Sequence, residues 1–245
     1  MEKKNGFFTK IFRSLHTVVF VVTVVAVTVA YCPIIFLTVL FSRKLARKLA
    51  RYWNRQVLAI GGVKVTVVGA DKLVAGERYV FMSNHQSALD IPIIYVGVSE
   101  DISFIAKKEL FMIPFFGWCM WAVGHTSIDR QNPRKAHASI DRAVQRLNKE
   151  NVSLILFPEG TRSKDGKVLD FKTASFTLAL QAGVKLVPIA IKGAIDRLPP
   201  KSSRIVPGTV ELVMGDPISV EELKGMSKVE VCGRVREAIV AMAEG

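Results

Sequence analysis

Acidic residues are scarce in this chain, cysteines are scarcer, and one N-terminal stretch carries no charge of either sign. The three cysteines, Cys32, Cys119 and Cys232, stand far apart, and their spacing gives neither a disulfide framework nor a set of metal ligands. Stability therefore has to come from a packed core, which 245 residues supply as one large domain or as a domain with an appendage. Against 21 Asp and Glu there are 34 Lys and Arg, giving a net charge of +13 and a pI near 9.8. So basic a chain attracts anions, either nucleic acid or anionic lipid. Half of it, 50%, is hydrophobic and no nucleic-acid-binding motif is present, so the balance points to lipid and away from nucleic acid.

Charge is missing altogether from Leu15 to Phe41. A helix of about 20 such residues crosses the hydrocarbon core of a bilayer. The run is too long for a cleavable leader, and no small-residue cleavage site follows it. Cations flank both ends: Lys3, Lys4, Lys10 and Arg13 before it, and Arg43, Lys44, Arg47, Lys48, Arg51 and Arg55 after it, the latter spaced like a helix continuing out of the membrane. A single span favours one basic flank over the other. Two basic flanks fit better with two helices that enter and return, or lie in the membrane face, and Pro33 marks the expected break. Both cationic ends then rest on an anionic cytoplasmic leaflet, each nearby Lys or Arg adding about 1 kcal/mol.

After Gly61 the texture changes. Five short β-rich runs, Val63–Val68, Tyr79–Ser83, Val152–Phe157, Leu186–Ile191 and Thr209–Met214, alternate with helical patterns. Asn132-Pro133 offers an N-cap and a first-turn proline to a helix carrying Ile140, Val144 and Leu147 on one face. Ser227-Lys228-Val229-Glu230 reads as a capping box ahead of Val231, Val235, Ile239 and Met242. The expected architecture is α/β, a mixed sheet flanked by helices, with residues 1–60 a membrane-associated helical segment and residues 61–245 one α/β domain. A second apolar stretch, Leu110–Val123, is too short to span and contains Pro114 and Gly117. Its length and pattern suit a buried helix and turn, and its Phe, Trp and Met cluster equally suits a membrane-facing or acyl-lining surface.

Two constellations carry chemistry. Asn84-His85-Gln86-Ser87-Ala88-Leu89-Asp90 leaves a strand, and His85 is suited to accept a proton near neutral pH if a carboxylate holds its other nitrogen. On one continuous helix the two side chains would point about 140° apart. They meet only if His85 precedes the helix and Asp90 lies in its first turns, with Ser87 as the expected N-cap. Taken alone, the pair reads more readily as a hydrogen-bonded surface histidine beside a helix-start aspartate. Phe157-Pro158-Glu159-Gly160-Thr161-Arg162-Ser163 follows another strand, where ligand-contacting loops gather. Arg162 offers a planar charged fork suited to phosphate, and Glu159 either accepts from hydroxyls or holds the arginine. In isolation a polar turn with a local salt bridge explains these residues equally well. Lys107 and Lys108 follow Ile102–Ala106, Arg130 ends Gly124–Arg130, and all three add positive charge at similar loop positions near strand ends.

Together these blocks resemble the glycerolipid acyltransferases. The block Asn84–Asp90 matches the family's histidine-x4-aspartate signature, and Phe157–Ser163 matches its FPEGTRS motif throughout. Gly124–Arg130 is similar to the second block and Val187-Pro188-Ile189 to the fourth, so that four blocks in order cover most of residues 80 to 190. The second block departs from the usual form at Ser127, where a bulky apolar residue is the rule. Within the family, the chain looks most like the bacterial enzymes that acylate 1-acylglycerol 3-phosphate. The resemblance implies acyl transfer from acyl-CoA or an acyl-carrier protein to the sn-2 hydroxyl of lysophosphatidic acid, with no cofactor and no metal. It implies His85 as base, Asp90 as its orienting carboxylate, and Glu159, Gly160, Thr161, Arg162, Arg130 and Lys107 as the acceptor site. Val187–Ile189 would shape the acyl side. The implied location is the cytoplasmic face of the inner membrane, with membrane lipid as the contacting surface. Glycerol 3-phosphate or another lysophospholipid is the alternative acceptor. A hydrolase using Ser83 or Ser87 is disfavoured because no Gly-x-Ser-x-Gly elbow is present.

Overall fold

The computed structural model describes residues 2–99, 101–129 and 133–245, and for residues 2–13, 133 and 135–137 the backbone alone. The chain opens with α1 (Glu2–Thr38) and α2 (Arg43–Ile60), followed by β1 (Val63–Val68), β2 (Tyr79–Ser83), α3 (Asp90–Gly97), β3 (Ile102–Lys107), α4 (Lys108–Phe111), α5 (Phe116–Val123), β4 (Thr126–Ile128) and α6 (Pro133–Glu150). It continues with β5 (Ser153–Leu156), α7 (Phe176–Ala182), β6 (Lys185–Lys192), α8 (Ala194–Arg197), β7 (Gly208–Met214), α9 (Val220–Lys224) and α10 (Lys228–Glu244).

The seven strands form one sheet in the order β1-β7-β6-β2-β5-β3-β4. Every neighbouring pair is parallel except β6 with β7, so the sheet is mixed. The central strand β2 is buried along its whole length. That burial explains its unbroken apolar sequence, since a parallel strand covered on both faces needs no polar alternation. Alternation sorts its side chains instead between two cores. Tyr79, Phe81, Ile155, Val187 and Ile189 face one core with α1, α2, α3 and α5. Val80, Met82, Leu154, Leu156 and Leu186 face the other with α6, α7 and α10.

The five expected strands form within a residue or two of their predicted ends, and β3 and β4 are additional. The Ser227–Glu230 capping box forms, with Glu230 N donating to Ser227 Oγ at 3.3 Å and Ser227 N to Glu230 Oε2 at 2.7 Å. The helix expected after Asn132 begins at Pro133, while Asn132 itself lies outside the described residues.

The N-terminal region departs from expectation at Pro33. The apolar run is a single helix up to Thr38, not two helices broken at the proline. Pro33 removes only the hydrogen bond to the Val29 carbonyl. The flanking turn stays in place because Cys32 and Ile35 are buried against the domain, with Cys119 Sγ donating to Cys32 O. Residues Ser14–Thr38 form the one helix, among the described residues, that is long and apolar enough to cross a membrane. The chain then turns at Ser42, whose Oγ accepts from Leu45 N, and α2 returns along α1. Trp53 Nε1 donates to Thr28 Oγ1 at 3.2 Å, and Tyr52 packs 6.2 Å from Tyr31.

The basic face of α2 is also divided. Ala46, Ala50, Val57 and Leu58 lie at helical spacing on the buried face. Arg43 and Arg47 pair with Glu150 of α6, and Arg51 donates to the Tyr95 and Val98 carbonyls. Half of the cations expected to face lipid therefore tie the helix to the domain, while Lys44, Lys48 and Arg55 remain exposed.

Candidate active site

The parallel strands β2, β3 and β5 end at the same edge of the sheet, and the loops leaving that edge carry the sequence motifs. Asn84 fixes the loop after β2. Its Nδ2 donates to Ile191 O at 2.9 Å and its Oδ1 accepts from Ile191 N at 2.8 Å, clamping the chain to β6. His85 follows, outside any helix, and Asp90 opens α3. Ser87 is not the N-cap of that helix, which begins three residues later, because the turn before it is closed by Asp90 itself. Asp90 Oδ2 accepts from Gln86 N at 2.7 Å and from Ser87 N at 2.9 Å.

The same oxygen lies 2.7 Å from His85 Nδ1. A carboxylate that already accepts two amide protons can only accept again, so in the neutral imidazole the proton belongs on Nδ1 and Nε2 has the lone pair. Asp90 is fully buried, whereas the His85 side chain is 20% exposed and stacks on Phe157 with ring centres 4.1 Å apart. A buried carboxylate behind a partly exposed imidazole is the arrangement that lets a histidine take a proton from an alcohol and carry the resulting charge.

Glu159 approaches from the loop after β5. It is 3% exposed, and its Oε1 accepts from His85 N at 2.9 Å. Ser163 N donates to His85 O at 2.8 Å, so this loop holds both backbone groups of the histidine. Burial pushes the Glu159 carboxyl up to about 7. The His85 and Leu169 amides oppose the shift, the nearby Asp90 charge adds to it, and Arg236 weakly opposes it. Thr161 and Arg162 are exposed on the same loop, and Gly160 adopts a φ of 73° at its turn. Lys107 ends β3, exposed and 4.0 Å from Glu109. Lys108 is engaged by Asp129 at 2.8 Å, and this bond raises its pKa. Arg130 lies outside the described residues. The structure thus brings His85 into direct contact with Asp90 and Glu159, and leaves Arg162, on the loop that holds the histidine, and Lys107, at the end of β3, as exposed cations.

Ser83 and Ser87 are unsuited to nucleophilic attack. Both are fully buried, and their hydroxyls donate to Asn84 O at 3.0 Å and Leu198 O at 2.7 Å. Two cavities flank the site. One of about 90 Å³ lies between the N-terminal helices and the sheet, lined by Tyr31, Trp53, Tyr95, Phe104 and Met120 among others. Phe104 stacks on Phe157 at 6.3 Å, so this cavity begins two rings beyond the histidine. His125 on its wall accepts from Phe104 N and faces the Tyr95 hydroxyl, and burial lowers its pKa to about 3. The other cavity, of about 220 Å³, is lined by Phe157, Gly160 and Lys172 together with apolar residues of the second core. Val187 and Ile189 are core residues of β6 and line neither cavity. Asn84 and Lys172 are contributors the motifs did not single out. Asn84 lay within a matched block, whereas Lys172 lies nine residues past the last residue of its block.

Residues 64–192 match the Acyltransferase family, and the chain is an enzyme belonging to that family. More particularly, it is similar over most of its length to 1-acyl-sn-glycerol-3-phosphate acyltransferases. That of Salmonella typhimurium is 31% identical over 217 residues, covering 86% of this chain and 84% of the relative. That of Escherichia coli is 30% identical over 214 residues with the same coverage, 86% and 84%. The chloroplastic relative from Arabidopsis thaliana is 34% identical over 188 residues, which is 76% of this chain but about half, 52%, of that longer protein. The crystal structure of the 1-acyl-sn-glycerophosphate (LPA) acyltransferase from Thermotoga maritima matches with a TM-score of 0.82 at 30% identity, across 96% of both chains.

Proposed function

We propose that this enzyme transfers a fatty acyl group from a thioester, acyl-CoA or acyl-carrier protein, to the sn-2 hydroxyl of 1-acylglycerol 3-phosphate, forming phosphatidic acid. The observation that carries the reading is the 2.7 Å contact of His85 Nδ1 with Asp90 Oδ2, which leaves Nε2 as the base. His85 Nε2 takes the hydroxyl proton as the oxygen attacks the thioester carbonyl. Asp90 stabilises the imidazolium, and collapse of the tetrahedral intermediate expels thiolate, which recovers the proton from His85. Glu159 keeps the histidine loop in register through the His85 amide, while Arg162, Lys107 and Arg130 bind phosphate. Gly160 and Thr161 shape the turn that presents Arg162.

The membrane reading follows from where apolar surface is left uncovered. Val18, Val22, Val25 and Val29 are exposed along α1, and Met112, Ile113, Phe115, Trp118 and Trp121 are exposed around α5. Phe36 of α1 packs 6.1 Å from Trp118, so the two surfaces adjoin. Residues 1–60 act in this proposal as the membrane-associated segment of the catalytic domain at 61–245, on the cytoplasmic face of the inner membrane. Drawing an acyl chain into water costs about 0.8 kcal/mol per CH₂, so an acceptor is best met at the interface. The cavity beyond Phe104 gives the acyl chain an apolar refuge two rings from the base.

Thiol release from a long-chain acyl-CoA or acyl-carrier protein tests the proposal, measured with and without lysophosphatidic acid. Acceptor-dependent release is expected, reduced about 10²- to 10⁴-fold in His85→Ala. Release independent of acceptor makes the enzyme a thioesterase, and undiminished transfer by His85→Ala removes the histidine from the mechanism.

A further inference from the structure

The ring on which His85 stacks also lines the cavity of about 220 Å³, whose other walls include Ile105, Ile128, Leu156, Leu178, Gly160 and Lys172. Lys172 is the one cation among these lining residues. An exposed lysine is ordinarily a solvated charge on a mobile stem, but this one is positioned. Its backbone amide donates to Pro158 O at 2.9 Å, tying it to the Phe157–Ser163 loop. Its side chain lies along Gly160, where an added Cβ would meet Nζ at 3.0 Å, Cε at 3.1 Å and Cδ at 3.3 Å. Gly160 therefore serves two ends: it adopts the left-handed φ of 73°, and it leaves the track along which the lysine runs. Among the described residues no carboxylate lies within ion-pairing distance of the Lys172 ammonium, whereas Lys108 and Lys185 each have an acidic partner near 2.8 to 2.9 Å. On β3, strand alternation puts Lys107 on the same strand face as Ile105, which is a lining residue.

The geometry points to Lys172 as a phosphate ligand of the acceptor, acting with Lys107 and Arg162 to seat the headgroup at the mouth of this cavity, one ring from the base. The inference rests on the acceptor reading given above and adds to it a residue outside the matched motifs. The phosphate takes no part in bond making, so losing the lysine weakens acceptor binding in the ground and transition states alike and appears in KM more than in kcat.

The test compares lysophosphatidic acid with the corresponding monoacylglycerol as acceptors, using wild type, Lys172→Ala and Lys172→Arg. In the wild type, kcat/KM should favour the phosphorylated acceptor. Lys172→Ala should lower that preference about 10- to 100-fold through the KM for lysophosphatidic acid, the range expected for one charge-assisted hydrogen bond. Lys172→Arg should retain most of it. A preference unchanged in Lys172→Ala overturns the assignment, as does an equal loss toward both acceptors with altered thermal unfolding, which makes the lysine a structural support for the loop. A wild-type enzyme that acylates neither compound overturns the acceptor reading itself, an outcome visible before any variant is compared.

Discussion

Replacing Asp90 by asparagine separates the charge of this residue from its role in shaping the loop. Its Oδ2 accepts from Gln86 N, Ser87 N and His85 Nδ1, while Oδ1 is buried without a hydrogen-bond partner. An asparagine oxygen at the Oδ2 position can keep all three bonds. The amide nitrogen then falls at the site of Oδ1 and is left without an acceptor, costing about 1–3 kcal/mol of stability. Alanine instead orphans two buried amides as well as the imidazole, so Asp90→Ala should be the less stable of the two. Turnover should respond to the charge. A charge pair about 4 Å apart is worth about 4 kcal/mol at an effective dielectric of 20. Most of that stabilises the imidazolium only when the proton moves, so kcat for Asp90→Asn should fall about 10²- to 10³-fold at one decade per 1.36 kcal/mol. Thiol release under saturating acceptor and donor, alongside thermal unfolding, measures both effects. A folded Asp90→Asn with turnover within about twofold of wild type would refute the reasoning, because the carboxylate would then only shape the loop.

Glu159 links stability to pH. Its folded pKa, about 7, lies above the ordinary value of 4.5, so its contribution is fully present below about pH 4.5 and is lost as pH rises through about 7. Relative to Glu159→Gln, the wild type should lose about 3 kcal/mol of unfolding free energy between about pH 4 and pH 8. A difference between the two proteins that stays constant with pH in denaturant titrations would contradict it. At the surface, Trp118→Glu combined with Trp121→Glu should weaken flotation with anionic vesicles while leaving thermal unfolding near wild type, since both rings are more than half exposed. Unchanged flotation would confine membrane contact to α1.

Much of this architecture was legible because burial leaves periodic traces. Strand β2 reads as an apolar run because both its faces are covered, and the Ser227 capping box needs only four residues to declare itself. Strand β4 has three residues, too few for any period to show, and it forms because β3 supplies its hydrogen bonds. Pro33 misled because a proline's local cost is visible in sequence while the packing of Cys32 and Ile35 that offsets it is not. The arginines of α2 misled for the same reason: their partners, Glu150 and the end of α3, are distant in the chain. At the site, the meeting of His85 with Asp90 followed from helix geometry once the histidine was placed before the helix. The inward turn of Glu159 toward the His85 amide and the track of Lys172 across Gly160 are tertiary facts, and neither has a local signature.

Phe157 stands as a partition. Through Phe104 it borders the space beneath the N-terminal helices, and it also lines the cavity that holds Lys172, while His85 rests on its ring. Because the stacked pair of Phe157 and Phe104 separates the two spaces, either one can change shape without altering the other, provided that the pair keeps its size. On the proposed reading, tail length and headgroup chemistry thus become separate degrees of freedom for natural variation, hinged on a pair of rings that have to remain large and flat.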